Sequence, residues 1–247
     1  MNQLSYYGKT DSGRCRENNE DAYLLEQKGR YVIATVADGI GGYDGGEVAS
    51  YLACKCISDY LWNTPKKDFG ADVLKQAVIY ANNAVVSQQQ NPRLCNMGCA
   101  LTAVLFDMEQ HLTSMCHVGD TRLYKYKDGM LEKLSKDHSL VGLQEDAGLL
   151  SEKDAMSHPQ RNIITRFIGN SRLDWNTNYM MDLIFPIETD TQYLICSDGI
   201  YDMIASDEIT EILSQEVSLQ QKVETLINRA NLAGGKDNIT AIILENK

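Results

Sequence analysis

Apolar positions come first in short alternating or continuous blocks. They predict strands over roughly 3–10, 21–27 and 31–37. The third block, Tyr31-Val32-Ile33-Ala34-Thr35-Val36-Ala37, is apolar almost throughout and reads as core. From Glu47 the period changes. Apolar residues at 48, 49, 52, 53, 57 and 61 have helical spacing as far as Trp62. Val73, Leu74, Ala77, Val78, Ala81, Ala84 and Val85 repeat that spacing between Ala71 and Gln90. Strands return at about 99–107, 112–118 and 121–126, the last ending in the turn Lys127-Asp128-Gly129. The stretch 138–170 mixes short helical pieces with loops. Strands follow at roughly 177–185 and 191–196, then helices at about 206–214 and 219–232. Gly234-Gly235 stops the second helix, and 238–245 closes as a strand. Tight turns between so many strands predict largely antiparallel sheets. The order fits a layered α+β sandwich with helices outside the sheets.

Length and composition narrow the function. A chain of 247 residues, 43% hydrophobic, suits one large domain over 1–247. Lys and Arg number 23 against 34 acids, a net charge of −11. The longest basic cluster is Lys66-Lys67, so nucleic acid is excluded as an expected partner. No apolar stretch approaches the ~20 residues of a membrane helix. The start, MNQLSYYGKT, lacks the charged and apolar regions of a secretory signal. Seven cysteines form no CxxC pair, which argues against zinc and for reduced packing residues. These features together predict a cytoplasmic protein.

Four places repeat one device. Tyr31–Ala37 ends in Asp38-Gly39, Leu112–Val118 in Gly119-Asp120, and Tyr193–Cys196 in Ser197-Asp198-Gly199, while Asp237 precedes the last strand. A rigid strand projects a short carboxylate past the core, and an adjacent glycine lets a ligand approach the backbone. In an antiparallel sheet, Asp198 and Asp237 can share one edge. Massed carboxylates repel, and hard divalent cations such as Mg²⁺ or Mn²⁺ relieve that repulsion. Each Asp-Gly taken alone is an ordinary turn. Gly41-Gly42 and Gly45-Gly46 do not complete a GxGxxG, because Asp44 holds the last glycine position, so a dinucleotide site is disfavoured.

An ordered set of segments resembles the metal-dependent PPM, or PP2C-type, Ser/Thr protein phosphatases of bacteria, nearly end to end. Arg16-Glu17-Asn18-Asn19-Glu20-Asp21 is similar to that family's RxxNED, and Ala37-Asp38-Gly39-Ile40-Gly41-Gly42 to its ADGMGG. Val118-Gly119-Asp120-Thr121-Arg122 is similar to VGDSR, and Lys136-Asp137-His138-Ser139 to its TxDHS segment. His158-Pro159-Gln160-Arg161-Asn162, with Ile164-Thr165-Arg166 and Gly169, is similar to HPxRNxxTRxxG. Cys196-Ser197-Asp198-Gly199-Ile200 is similar to CSDGL, and Gly235-Lys236-Asp237-Asn238-Ile239-Thr240 to GGxDNxT.

The resemblance implies a four-layer αββα sandwich of two antiparallel sheets flanked by helices. It implies two Mn²⁺ or Mg²⁺ ions, with Asp38 bridging them. Asp198 and Asp237 would complete one site, and Glu20 with the Gly39 carbonyl the other. Asp21 and Asn238 would support the ligands from behind, Asp21 by holding water at the metals. Arg16 would grip the substrate phosphate, and Asp120, Asp198 and Asp202 match a third, weaker metal site. Paired cations acidify water for in-line attack on phosphorus, so no catalytic Cys or Ser is needed. The implied substrates are phosphorylated proteins, the implied partner a Ser/Thr kinase with its targets, and the implied state a monomer. Residues 142–170 match the variable flap.

Three departures stand out. Bacterial relatives usually carry His where this chain has Tyr43, and relatives with DGH carry it at the Ile40 position, so neither position supplies a histidine to protonate the leaving alkoxide. The family's GTT is Gly98-Cys99-Ala100 here. His138 and His158 read as loop hydrogen-bonders. Two other readings remain. A non-catalytic phosphoprotein-binding relative would have lost some metal carboxylates, and all are present. An ATP-binding module of the histidine-kinase type would use Asp38-Gly39-Ile40-Gly41 as DxGxG but leaves Glu20, Asp198 and Asp237 unexplained.

Overall fold

The computed structural model describes residues 4–41, 45–65, 69–171 and 179–247. The expectations for Tyr43, Gly42, the Lys66-Lys67 cluster, Gln3 and the start of the 177–185 strand fall outside them. Contacts divide the chain into two compact units, each assembled from separate stretches. One holds 1–19, 120–165 and 188–247, and the other 20–119 and 166–187.

The second unit is built on an antiparallel sheet of β2 (Asp21–Lys28), β3 (Tyr31–Ile40), β4 (Gly98–Asp107), β5 (Leu112–Val118) and β8 (Met181–Pro186), in the order β2-β3-β4-β5-β8. Strand β3 is buried from Tyr31 to Ala37 on both faces, which is why its sequence is a continuous apolar run. Helices α1 (Gly45–Asn63) and α2 (Ala71–Gln88) pack against this sheet. Ala49, Ala53, Ile57 and Leu61 of α1 and Leu74, Ala77, Val78 and Ala81 of α2 join Ile33, Leu101, Ala103 and Leu105 in one core. Those helix positions are the apolar stripe of the sequence.

The first unit carries β1 (Leu4–Asp11), β6 (Arg122–Lys127), β7 (Met130–Lys133), β9 (Thr191–Cys196) and β10 (Ile239–Asn246), ordered β1-β10-β9-β6-β7 and again antiparallel. Asp128 and Gly129, both at positive φ (51° and 79°), make the two-residue turn between β6 and β7. Short helices α3 (Leu140–Asp146) and α4 (Glu152–Met156) occupy the 138–170 stretch. Then come α5 (Asp198–Tyr201), α6 (Ser206–Ser214) and α7 (Leu219–Leu232). Ser218 and Gln221 form a capping box that starts α7. Among the described residues no helix is long and apolar enough to cross a membrane. Five cysteines are buried as expected, whereas Cys15 and Cys95 are exposed.

Candidate metal centre

In the unit built on β3, register sets the geometry. Asp21 stands directly opposite Asp38. Residues opposed in this way share one face of the sheet, with Cβ atoms about 4.5–5.5 Å apart. Beyond them the Gly39 N–H donates to the Glu20 carbonyl at 3.1 Å. That carbonyl also accepts from the Ser50 hydroxyl of α1 at 2.6 Å. A Cβ on Gly39 would lie 2.4 Å from the Gly46 carbonyl oxygen and 2.5 Å from the Glu20 carbonyl oxygen. Only glycine allows α1 to close this far onto the strand end. The Glu20 carboxylate lies against Gly46 in the same corner.

In the unit built on β9 and β10, Cys196 opposes Ala241. The ladder then continues through a side chain. The Ser197 N–H donates to the Thr240 carbonyl (3.1 Å), and the Ser197 hydroxyl accepts from the Thr240 N–H (3.0 Å). Asp198 opens α5 immediately afterwards, and Asp237 lies just before β10 at the same end of the strand pair. A Cβ on Gly199 would stand 2.0 Å from the Asn238 carbonyl oxygen, so this approach too demands glycine. Asp198 and Asp237 therefore meet at one edge. Arg16 reaches the same edge and donates from Nη2 to Asp237 at 2.8 Å. Asn238 fixes the loop that carries Arg16: its buried amide donates to the Ser12 carbonyl (3.0 Å) and the Asn18 carbonyl (2.9 Å).

Asp120 and Asp202 lie in the same unit as Asp198. Burial raises the Asp120 carboxyl above its ordinary range, nearby Asp137 adds to the rise, and Arg122 opposes it. The buried Tyr201 hydroxyl donates to the Asp120 carbonyl at 2.9 Å. Burial also raises Asp202, against the pull of Arg161, whose Nε donates to it at 2.8 Å. Nearby is an ionic network that the motifs alone did not reveal. Arg122, only 5% exposed, donates to Asp137 from Nε (3.0 Å) and Nη2 (2.7 Å) and to Glu145 from Nη2 (2.6 Å). Its guanidinium stacks 3.7 Å from the Tyr201 ring centroid. A sequence signal existed: the Asp128-Gly129 turn lies midway between Arg122 and Asp137, so a hairpin there returns one to the other. His138 and His158 serve the loops. Thr165 donates to the His138 carbonyl from its N–H (2.7 Å) and hydroxyl (2.8 Å), and His158 Nδ1 accepts from the Gln160 N–H (3.1 Å). Cys99, in place of the family's hydroxyl, is fully buried and points its thiol toward the Ala49 carbonyl.

The donor chemistry fits hard divalent cations. Both strand ends collect carboxylates, and the first adds backbone carbonyls, the oxygen donors that Mg²⁺ and Mn²⁺ take. These donors are divided between the units: Glu20, Asp21, Asp38 and Gly39 in one, and Asp120, Asp198, Asp202 and Asp237 in the other. Among the described residues no group of three or more His, Cys, Asp or Glu side chains is arranged to hold a metal ion.

Two antiparallel five-stranded sheets with flanking helices and acids at their strand ends define a class of metal-dependent phosphatases, and comparison with known proteins agrees. The family profile described as Protein phosphatase 2C matches residues 14–242. The serine/threonine phosphatase stp of Listeria monocytogenes is 34% identical over 243 residues, covering 96% of this chain and 94% of that protein. The crystal structure of the Mycobacterium tuberculosis serine/threonine phosphatase PstP/Ppp superposes with a TM-score of 0.85 at 32% identity, covering 99% of each chain. The PstP catalytic domain in complex with two manganese ions gives a TM-score of 0.84 at 29% identity, over 100% of this chain and 99% of that one. The chain belongs to the protein phosphatase 2C family.

Proposed function

We propose that this chain removes phosphate from phosphoserine and phosphothreonine in proteins, using two bound Mn²⁺ or Mg²⁺ ions. The observation that carries the reading is the pair of built strand ends, one presenting Glu20, Asp38 and the Gly39 carbonyl, the other Asp198 and Asp237. Family membership over residues 14–242 supports it. When bound, the ions supply Lewis acidity and make water a nucleophile near neutral pH. Asp38 is assigned to both ions, Asp198 and Asp237 to one, and Glu20 with the Gly39 carbonyl to the other. Asp120 and Asp202, with Asp198, are assigned to a weaker third position.

Asp21, buried and opposed to Asp38, holds water in orientation. The guanidinium of Arg16, now on Asp237, turns to the substrate as a fork for two phosphoryl oxygens and offsets the charge that grows there. Asn238 keeps the Arg16 loop in place. Neither Ile40 nor the position of Tyr43 offers an imidazole proton to the leaving alkoxide, so water at the ions or the substrate's own solvation is left to supply it. The reading takes 1–247 as one catalytic domain with 142–170 as the flap that meets the substrate. It places the protein in the cytoplasm as a monomer opposing a Ser/Thr kinase.

The test is phosphate release from a phosphothreonine peptide with Mn²⁺ and with chelator, for the native chain, Asp38→Asn and Asp198→Asn. Release should need the metal and collapse in both variants. Equal rates in all three proteins contradict the assignment.

A further inference from the structure

The far end of β3 from Asp38 carries a cavity that phosphate hydrolysis does not use. Arg30, which borders it, precedes Asp38 by eight residues, roughly 26 Å of extended strand. Two neighbouring cross-strand rows make its floor. Leu105 pairs with Ser114 and Ser114 with Ile184, while Asp107 pairs with Leu112. Phe69, Gly70 and Ala71, the entry to α2, form the roof. The cavity volume is about 270 Å³. Its walls from Phe69, Leu105, Leu112 and Ile184 are apolar.

Two of the polar groups that face it can donate to a ligand. Ser114 is only 8% exposed and lines the cavity, and among the described residues its hydroxyl has no hydrogen-bond partner. The N-terminus of α2, an 18-residue helix, opens at the same place, and its N-cap Gly70 has no side chain to cover the first N–H groups. A helix N-terminus attracts an acceptor oxygen. Among the described residues the one cation on the rim, Arg30, is already balanced. The Arg30 guanidinium faces Asp107 at 3.3 Å and is hydrogen-bonded to Glu109. Asp107 is likewise occupied, accepting from the Glu109 and Gln110 N–H groups, both at 3.0 Å. A full negative charge would therefore meet two carboxylates for one guanidinium.

We infer that this cavity is a binding site for a small neutral molecule with a compact apolar body and one carbonyl-type acceptor. The apolar part fills the space between Phe69 and Leu105, and the acceptor takes the Ser114 hydroxyl and the open N–H groups of α2. The site is independent of the metal centre, so its ligand does not compete with phosphate.

Benzamide, toluene and benzoate serve as probes, titrated separately into the ¹⁵N-labelled chain while amide resonances are followed. Benzamide should give saturable shifts at Ala71, Asp72 and Ser114. Ser114→Ala should weaken it about fivefold, the worth of one hydrogen bond. Ala71→Leu, which places a larger side chain in the mouth, should abolish the shifts. Both variants should keep native phosphatase activity, which reports that they are folded. Toluene and benzoate should each bind more weakly than benzamide. Absence of saturable shifts, shifts that survive Ala71→Leu, or toluene matching benzamide overturns the site. Tighter binding of benzoate overturns its assignment to a neutral ligand.

Discussion

Asp21 stands directly across the β2–β3 pair from Asp38, so two acids share one face at a strand end. Opposed like charges destabilise a sheet by roughly 0.2–1 kcal/mol. Asp38→Asn removes one charge and should raise the melting temperature of the metal-free chain by about 1–4 °C. The same change should cut phosphatase activity about a hundredfold or more if, as proposed, Asp38 is a ligand of both ions. Calorimetry with and without Mn²⁺, beside an activity assay, reads both effects. A variant less stable than the native chain without metal would contradict the like-charge account.

Arg16 is bound to Asp237, yet its side chain is 48% exposed. Such a pair contributes only about 0–1 kcal/mol to stability. Arg16→Ala should therefore melt within about 3 °C of the native chain. Its kcat/KM on a phosphopeptide should fall roughly 10- to 100-fold through loss of the proposed phosphate fork, and Arg16→Lys should recover only part of that.

Arg122 should behave in the opposite way. Its partner Asp137 is buried with it and Glu145 is partly buried, and removing one member of a buried ion pair costs about 3–5 kcal/mol. Arg122→Met should lower the melting temperature by roughly 6–20 °C. Adding Asp137→Leu should return part of the loss, because the stranded carboxylate is then gone.

The thiols give a check on packing. Burial pushes the Cys54 and Cys116 thiols up to about 12 and holds Cys99 well above its ordinary value. At pH 8 these thiols stay protonated, and the thiolate is the reactive form. A thiol reagent at that pH should modify two residues quickly, Cys15 and Cys95. The remaining five should react only in denaturant.

Much of this fold was legible because burial writes itself into periodicity. β5, β9, α6 and α7 have the limits that their apolar patterns predict. β3 runs three residues past Ala37 because Asp38, Gly39 and Ile40 still pair with Ala100, Cys99 and Gly98. That extension is a property of the neighbouring strand and is invisible in β3 itself. β7 and α5 were missed for a related reason. At four residues each they show no period, and their existence depends on β6 and β10. Asp38, Asp198 and Asp237 could be picked out because each joins an apolar strand to a glycine or a tight turn. The support behind them could not. Nothing local to Asn238 tells that its amide reaches Ser12 and Asn18, more than two hundred positions away. The bond from Arg161 to Asp202 likewise spans 41 positions with no shared pattern.

The central claim is that acids from distant stretches jointly hold paired cations. Anomalous diffraction from a manganese-soaked crystal tests it most directly. The account predicts two strong peaks flanking the Asp38 carboxylate, one beside Asp198 and Asp237 and the other beside Glu20 and the Gly39 carbonyl. Full manganese occupancy elsewhere, with no density at Asp38, would contradict it.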